Sequence, residues 1–577
     1  MGQPIESVTI VGGGTAGWLA AALLQSIAAS RPGRTKPLQI TVIESPNIPT
    51  VGVGEATVPG MVRTLRTIGL SEREFMKRCN ASFKLGVVFD NWNEDPDGNP
   101  ISYINPFNRA PSLHGVDLCH FYQRFGANGL SFVQCYAPTH GLLEACKGPR
   151  VTSEKEFESF MAFAYHLDAA RFAELLTEKC VAAGVRHIRQ NVKGVEQDEN
   201  GYITALALEE SGRHPVELVI DCTGFRGLII NQVLGEPFID YSRYLANDRA
   251  MAVQIAHPDP ERIEPCTRST ALGAGWSWRV PLFNRVGTGY VYSSAHLSDD
   301  AARDEFLAHL GPQAGDAEPR VIPMRIGRNR NAWVKNCVAL GLAGGFIEPL
   351  ESTAIHMIDM GVRWLVTYFP DSDYADPLRD RYNRLIDNLY DEVRDFICLH
   401  YRLGNRTDTQ YWIDAREELD LPDRLAENIE LWRHNMPAHY DLEFSSLFSV
   451  STYNAVLLGK QVYRTGFARA ELGGGLALNE AEWRQILAEF QKRNAAMTER
   501  AMNHHRLLAE LRGDVEPAAR PASAQATRKR PPGVAPYAGP QPTVAMPGFA
   551  PPRLDLPQVA PAAKAAKHDK TEDASLL

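Results

Sequence analysis

The chain predicts an α/β fold. Its core is doubly wound and Rossmann-like, with an inserted second sheet, a C-terminal helical region and a disordered tail. Three observations carry that reading. The glycine turn Val11-Gly12-Gly13-Gly14-Thr15-Ala16-Gly17 stands between an apolar strand and an apolar-striped helix. Short strands and helices alternate as far as about residue 360. Beyond that point the helical period dominates, until a run dense in proline and alanine begins.

Ser7 to Val11 reads as a strand buried on both faces. Ala16 to Ser30 reads as a helix, because Leu19, Ala20, Leu23, Leu24 and Ile27 fall on one stripe. Leu38 to Ile43 is a second strand, ending at Glu44 and closing a βαβ unit. Ser82 to Phe89 reads as one alternating strand. Lys84 shares a face with Gly86 and Val88, and Phe83, Leu85, Val87 and Phe89 face the other way. Tyr165 to Cys180 reads as a helix, followed by a strand at Val185 to Ile188 and a β-rich stretch to Asp221. In the strand Gly275 to Pro281, Trp276 and Trp278 are spaced i, i+2 and therefore point to one face. Cys337 to Leu342 is a further apolar strand, running into Gly344-Gly345-Phe346, and a helix begins near Ser352. Arg379 to Tyr401 and Glu480 to Arg512 are long amphipathic stretches. The composition from 517 to 577 cannot bury enough surface to offset the entropy of ordering. The boundaries implied are a core over 1–360, with interleaved segments at about 95–160 and 245–325, helices over 361–512, and a Pro/Ala-rich tail over 513–577.

The net charge of −9 argues against nucleic acid as the main partner. The 9 cysteines are scattered singly with no C-x-x-C spacing, which suggests neither a metal site nor a redox dithiol and fits a reducing cytoplasm. No run of about 18 apolar residues exists to span a membrane.

The glycine turn is where the sequence first carries chemistry. Gly12 permits the tight turn, Gly14 lets backbone approach a pyrophosphate, and Gly17 lets helix and strand pack closely. Thr15 and Ala16 open the helix, whose N-terminus offers free N–H groups to phosphate. Glu44 is placed to accept from ribose hydroxyls. A single nucleotide unit is present. Val219-Ile220-Asp221-Cys222-Thr223-Gly224-Phe225 reads as a second strand-and-turn with small residues where backbone must approach a ligand. Together these favour FAD over NAD, with reducing equivalents arriving from outside.

Further motifs give the chain a family resemblance from its start to roughly residue 510. They are Gly52-Val53-Gly54-Glu55-Ala56-Thr57-Val58-Pro59, Lys84 after Phe83, Trp276-Ser277-Trp278-Arg279-Val280-Pro281, and Phe346-Ile347-Glu348-Pro349-Leu350-Glu351-Ser352-Thr353. With the glycine turn, they resemble the flavin-dependent halogenases of the tryptophan-halogenase type. The resemblance implies FAD, used as FADH2 from a separate flavin reductase, with chloride or bromide as co-substrate. It implies that halide is oxidised to hypohalous acid, which moves inside the protein to a lysine beside an aromatic substrate. Gly54, Glu55, Ala56 and Gly345 join the cofactor set. Trp276, Trp278 and Pro281 would shield the flavin from organic substrate. Lys84 would receive the oxidant, either hydrogen-bonding hypohalous acid or becoming a haloamine. Glu351 would stabilise the cationic intermediate or take its proton, with Ser352 between the two sides. Thr353 and Ala354 would offer backbone N–H groups to halide. A homodimer is compatible with the resemblance, although no feature of the sequence shows one.

Two departures bear on substrate. Members specific for free tryptophan carry a histidine and a phenylalanine on the substrate side, and here Asn105-Pro106-Phe107 keeps only the phenyl. Their adjacent tyrosines correspond to Tyr453-Asn454, with one tyrosine. The expectation is an electron-rich aromatic such as indole or an indole derivative rather than free tryptophan. An aromatic flavin monooxygenase and a non-catalytic flavin-binding protein are the competing readings; Trp276, Trp278 and Lys84 argue against the first.

Overall fold

The computed structural model describes residues 2–28, 36–48, 54–113, 115–442, 447–461 and 479–517. Gly52 and Val53 of the second motif, and positions 518–577 of the expected tail, lie outside the described residues.

The first sheet has six strands in the order Arg186–Arg189, Gln39–Glu44, Ser7–Val11, Leu218–Asp221, Cys337–Ala339 and Trp333–Val334. All pairs are parallel except the last. Val8, Ile10, Val42, Leu218, Val219, Ile220 and Val338 are at most 1% exposed, as a sheet covered on both faces requires. The helix Thr15–Ala28 packs on it with Trp18, Leu19, Leu23 and Leu24 fully buried.

The second sheet has seven strands: Arg320–Pro323, Arg249–Ile255, Val286–Tyr292, Gly275–Pro281, Thr267–Leu272, Gly86–Glu94 and Pro100–Pro106. Only Thr267–Leu272 with Gly86–Glu94 is parallel. A third, small sheet places Gly54–Ala56 and Ser82–Lys84 on either side of Ala164–Asp168. This brings the strand carrying Glu55 and the strand carrying Lys84 against one common partner.

Three local expectations are corrected. The strand expected over Ser82 to Phe89 breaks at Leu85, and its halves belong to different sheets. The Leu85 N–H donates to the Pro265 carbonyl at 2.7 Å, and the Leu85 carbonyl accepts from the Phe107 N–H at 3.1 Å. A Cβ on Gly86 would sit 2.5 Å from the Asn105 carbonyl oxygen, so the crossing requires glycine. Lys84 and Gly86 therefore do not share a face of one strand. The helix expected from Tyr165 begins at Ala169, because Ala164–Asp168 is a strand paired on both edges. Asp168 ends that strand and caps the helix, its carboxylate accepting from the Arg171 N–H at 3.2 Å. The long stretch to Arg512 is two helices, Glu480–Arg500 and His504–Arg512. Ala501 is extended and the Asn503 side chain caps the second helix at 3.0 Å from the Arg506 N–H.

The helix Asp376–Arg402 buries Tyr382, Leu389, Val393, Phe396 and His400 against both large sheets' contents. All described residues fall within one unit. Among them no helix is long and apolar enough to cross a membrane, and no group of three or more His, Cys, Asp or Glu is placed to hold a metal. The nine cysteines are free.

Candidate active site

The sheets enclose a cavity of about 550 Å³. It is lined by Gly12 to Ala16 and Glu44, by Cys222 to Arg226, Gly341, Leu342 and Gly344 to Phe346, and by Glu55, Trp276, Trp278 and Ser352 to Ile355. The glycines have separate jobs. Gly12 has φ +122°, and a Cβ there would lie 2.2 Å from the Cys222 carbonyl oxygen. A Cβ on Gly17 would lie 1.9 Å from the Gly12 carbonyl oxygen, so helix and turn touch through backbone. A Cβ on Gly14 would meet nothing within 4 Å. That open ground, at a helix N-terminus, is what an approaching diphosphate needs. Its size and lining fit a bound dinucleotide.

Glu44 lines the cavity with one oxygen already 2.7 Å from His187 Nε2. Asp221, fully buried, shapes the opposite wall: its oxygens accept from the Thr223, Ile229 and Ile230 N–H groups at 2.9, 2.8 and 2.9 Å. Glu55 faces the cavity, and burial alone pushes its carboxyl up to about 7.

Trp276 and Trp278 both line the cavity, with ring centroids 6.3 Å apart. The Trp276 Nε1–H donates to Glu348 Oε2 at 2.7 Å. The same oxygen accepts from Tyr401 Oη at 2.6 Å and Asn247 Nδ2 at 3.0 Å. Burial pushes the Glu348 carboxyl up, and these three donors oppose that. Glu348 thus anchors an indole. Pro281 does not line the cavity; Val280 does, and the Pro281 carbonyl accepts from Ser82 Oγ.

Lys84 is 0% exposed. Its Nζ donates to Ser352 Oγ at 2.9 Å and to the Thr57 carbonyl at 3.1 Å, and lies 5.3 Å from the centre of the Phe107 ring. Burial lowers its pKa to about 7, against an opposing pull from Glu351. Ser352 sits at φ +60°, a region that non-glycine residues rarely occupy and that recurs at functional sites. Ser352, Thr353 and Ala354 line the cavity and Lys84 does not, so the serine stands at the wall between cavity and amine. Thr353 precedes the helix Ala354–Thr367 without a side-chain capping bond, and the helix's first N–H groups have no acceptor within it.

Glu351 does not pair directly with Lys84. Its two oxygens accept from Asn105 Nδ2 at 3.1 Å each, and Oε1 also from His400 Nε2 at 3.0 Å. Asn105 and Phe107 therefore stand beside Glu351 and Lys84. Tyr453 packs on Phe396 and Trp432 with ring centroids 4.9 and 5.3 Å away, and Asn454 Nδ2 contacts Cys119 Sγ at 3.3 Å.

Residues 7–470 match the family described as tryptophan halogenase. The chain belongs to the tryptophan halogenase family. It is 36% identical over 530 residues to the 7-chloro-L-tryptophan 6-halogenase KtzR of Kutzneria sp. (strain 744), covering 88% of this chain and 99% of the relative. A tryptophan halogenase structure from Shewanella frigidimarina NCIMB 400 superposes with a TM-score of 0.82 at 34% identity, covering 88% of this chain and 98% of that one. BrvH, a flavin-dependent halogenase from Brevundimonas sp. BAL3, superposes with a TM-score of 0.77 at 37% identity, covering 88% and 99%. The mixed α/β architecture is that of flavin-dependent halogenases, and the chain is an enzyme of that family.

His400, Tyr103, Asn247 and the anchoring role of Glu348 were not legible beforehand. Each acts through a long-range contact that no local motif announces.

Proposed function

We propose that this halogenase acts on an electron-rich aromatic other than free tryptophan, indole or an indole derivative, with FADH2 from a separate reductase, O2 and chloride or bromide. The observation that carries the reading is the buried Lys84 amine, hydrogen-bonded through Ser352 to the wall of a dinucleotide-sized cavity that two indoles also line. Bound in that cavity, reduced flavin with O2 supplies the oxidising equivalents that turn halide into hypohalous acid.

The glycine turn, Glu44 and the Gly54–Ala56 strand hold the cofactor, with Gly345 on the far wall. Thr353 and Ala354 present N–H groups to halide. Trp276 and Trp278 exclude the aromatic while leaving room for a small oxidant to pass Ser352. Lys84 receives that oxidant. A pKa near 7 makes the neutral amine available at neutral pH. Glu351 faces the developing cation and takes its proton.

The substrate reading is supported by Asn105, the nearest match by resemblance to the family's histidine, which spends its amide on Glu351. It is supported also by Tyr453, whose ring is packed among aromatics rather than offered to an amino-acid end. Named relatives act on tryptophan, so the contrast is testable: a panel of indole, substituted indoles, phenols and tryptophan is turned over in parallel. Preference for indoles over tryptophan supports the reading, and clear preference for tryptophan overturns it. The nine free cysteines support a cytoplasmic setting.

A further inference from the structure

Glu351 is held from behind by two side chains outside every motif named above. His400 is 0% exposed and Tyr103 5% exposed. His400 Nε2 lies 3.0 Å from Glu351 Oε1, and His400 Nδ1 lies 3.1 Å from Tyr103 Oη. The imidazole is stacked on Phe89 with centroids 4.5 Å apart, and Phe89 is stacked on Tyr103 at 4.9 Å. A carboxylate can only accept, so Nε2 carries the hydrogen; neutral imidazole then accepts at Nδ1, and Tyr103 donates there.

We infer that His400 is the positioning residue for Glu351 as proton acceptor, and that Tyr103 fixes the imidazole tautomer this requires. The inference rests on the halogenase reading above. The ring carbon bonds to the halogen of hypohalous acid, and the oxygen leaves as hydroxide. The ring C–H bond then breaks, its electron pair restoring aromaticity and its proton passing to Glu351. Hydroxide takes that proton, so the products are aryl halide and water. His400 keeps its own hydrogen throughout: with Asn105 it fixes the carboxylate's orientation by hydrogen bonding.

The surroundings keep the imidazole neutral. Burial lowers its pKa, Glu351 opposes this, and Lys460 reinforces it. Lys460 stands on the far side, its Nζ 5.5 Å from the Tyr103 ring centre and 2.7 Å from Asn93 Oδ1.

The test compares wild type, His400→Phe, His400→Gln and Tyr103→Phe with indole and ring-deuterated indole, measuring hypohalous acid and aryl halide separately. His400→Phe keeps a ring on Phe89 and loses the donor. Its kcat for aryl halide is expected to fall about 10- to 100-fold, as when the group orienting a reactive ligand is removed. KM and hypohalous acid formation stay near wild type. Deprotonation then becomes slow enough for a primary deuterium isotope effect absent from wild type to appear. His400→Gln, which keeps an N–H donor, restores part of the rate, and Tyr103→Phe shows the isotope effect with a smaller loss. An isotope effect of unity in both His400→Phe and Tyr103→Phe overturns the inference. So does equal loss of hypohalous acid and aryl halide in His400→Phe alongside a Tyr103→Phe enzyme that matches wild type. Wild type that makes hypohalous acid but no aryl halide from any of the panel overturns the parent reading, and this one with it.

Discussion

Replacing Lys84 by methionine should destroy aryl halogenation and make the protein more stable. The amine's ordinary value of 10.5 falls to about 7 in the folded chain. Between those values the unfolded chain binds a proton that the folded chain has lost, so wild-type stability rises with pH across that window. At pH 7 the accumulated cost is roughly 4–5 kcal/mol, at 1.36 kcal/mol for each tenfold change. The substitution also removes the hydrogen bonds to Ser352 Oγ and the Thr57 carbonyl, about 1 kcal/mol each. Methionine fills a similar volume, so packing changes little. The net expectation is about 2 kcal/mol of added stability at pH 7, shrinking to nothing by about pH 9. Thermal melts of both proteins at the two pH values read this directly, with FADH2 oxidation and product formation followed alongside. A variant less stable than wild type at pH 7, or a gap independent of pH, would refute the buried, depressed amine. Retained halogenation would remove Lys84 from the chemistry.

Other perturbations address the remaining parts. Glu351→Gln keeps the shape and loses the proton acceptor; aryl halide formation should fall about 10²- to 10⁴-fold while a thiol trap still detects hypohalous acid. Gly14→Ala should leave the melting temperature of the apoprotein unchanged and weaken FAD binding in a fluorescence titration, because its Cβ meets only the ligand's space. Gly12→Ala should lower both, since its Cβ would meet the Cys222 carbonyl at 2.2 Å. Glu348→Leu frees the Trp276 indole; the ratio of trapped oxidant to aryl halide should rise, and an unchanged ratio would assign the anchor to folding alone.

The βαβ unit was readable because Gly12, Gly14 and Gly17 each answer a local steric demand and Glu44 follows at the end of the next strand. The indole strand was readable because i, i+2 spacing alone puts Trp276 and Trp278 on one face. What failed locally has a common cause. Ser82 to Phe89 alternates, yet Leu85 donates its N–H to the Pro265 carbonyl and its own carbonyl accepts from the Phe107 N–H, partners that lie far along the chain or across a hairpin. Tyr165 and Leu167 sit in a helical pattern, but two short strands claim their backbone. Tertiary pairing overrode local period in both. The site divides the same way: Lys84, Glu351 and Ser352 announce themselves by motif. His400 reaches Glu351 from 49 residues away and Tyr103 reaches His400 from 297 residues away, while Asn105, singled out in the sequence for the substrate side, bonds Glu351 across 246 residues.

In the proposed function an oxidised halogen passes Ser352 to Lys84 and reaches an aromatic that is not free tryptophan. Incubation of the purified protein with FADH2, O2, bromide, and indole or tryptophan, followed by mass spectrometry, tests it most directly. The expected result is the bromine isotope pair on indole product, weaker or absent on tryptophan, and lost from both with Lys84→Met. An added oxygen in place of bromine, or bromotryptophan formed in clear preference to bromoindole, would contradict it.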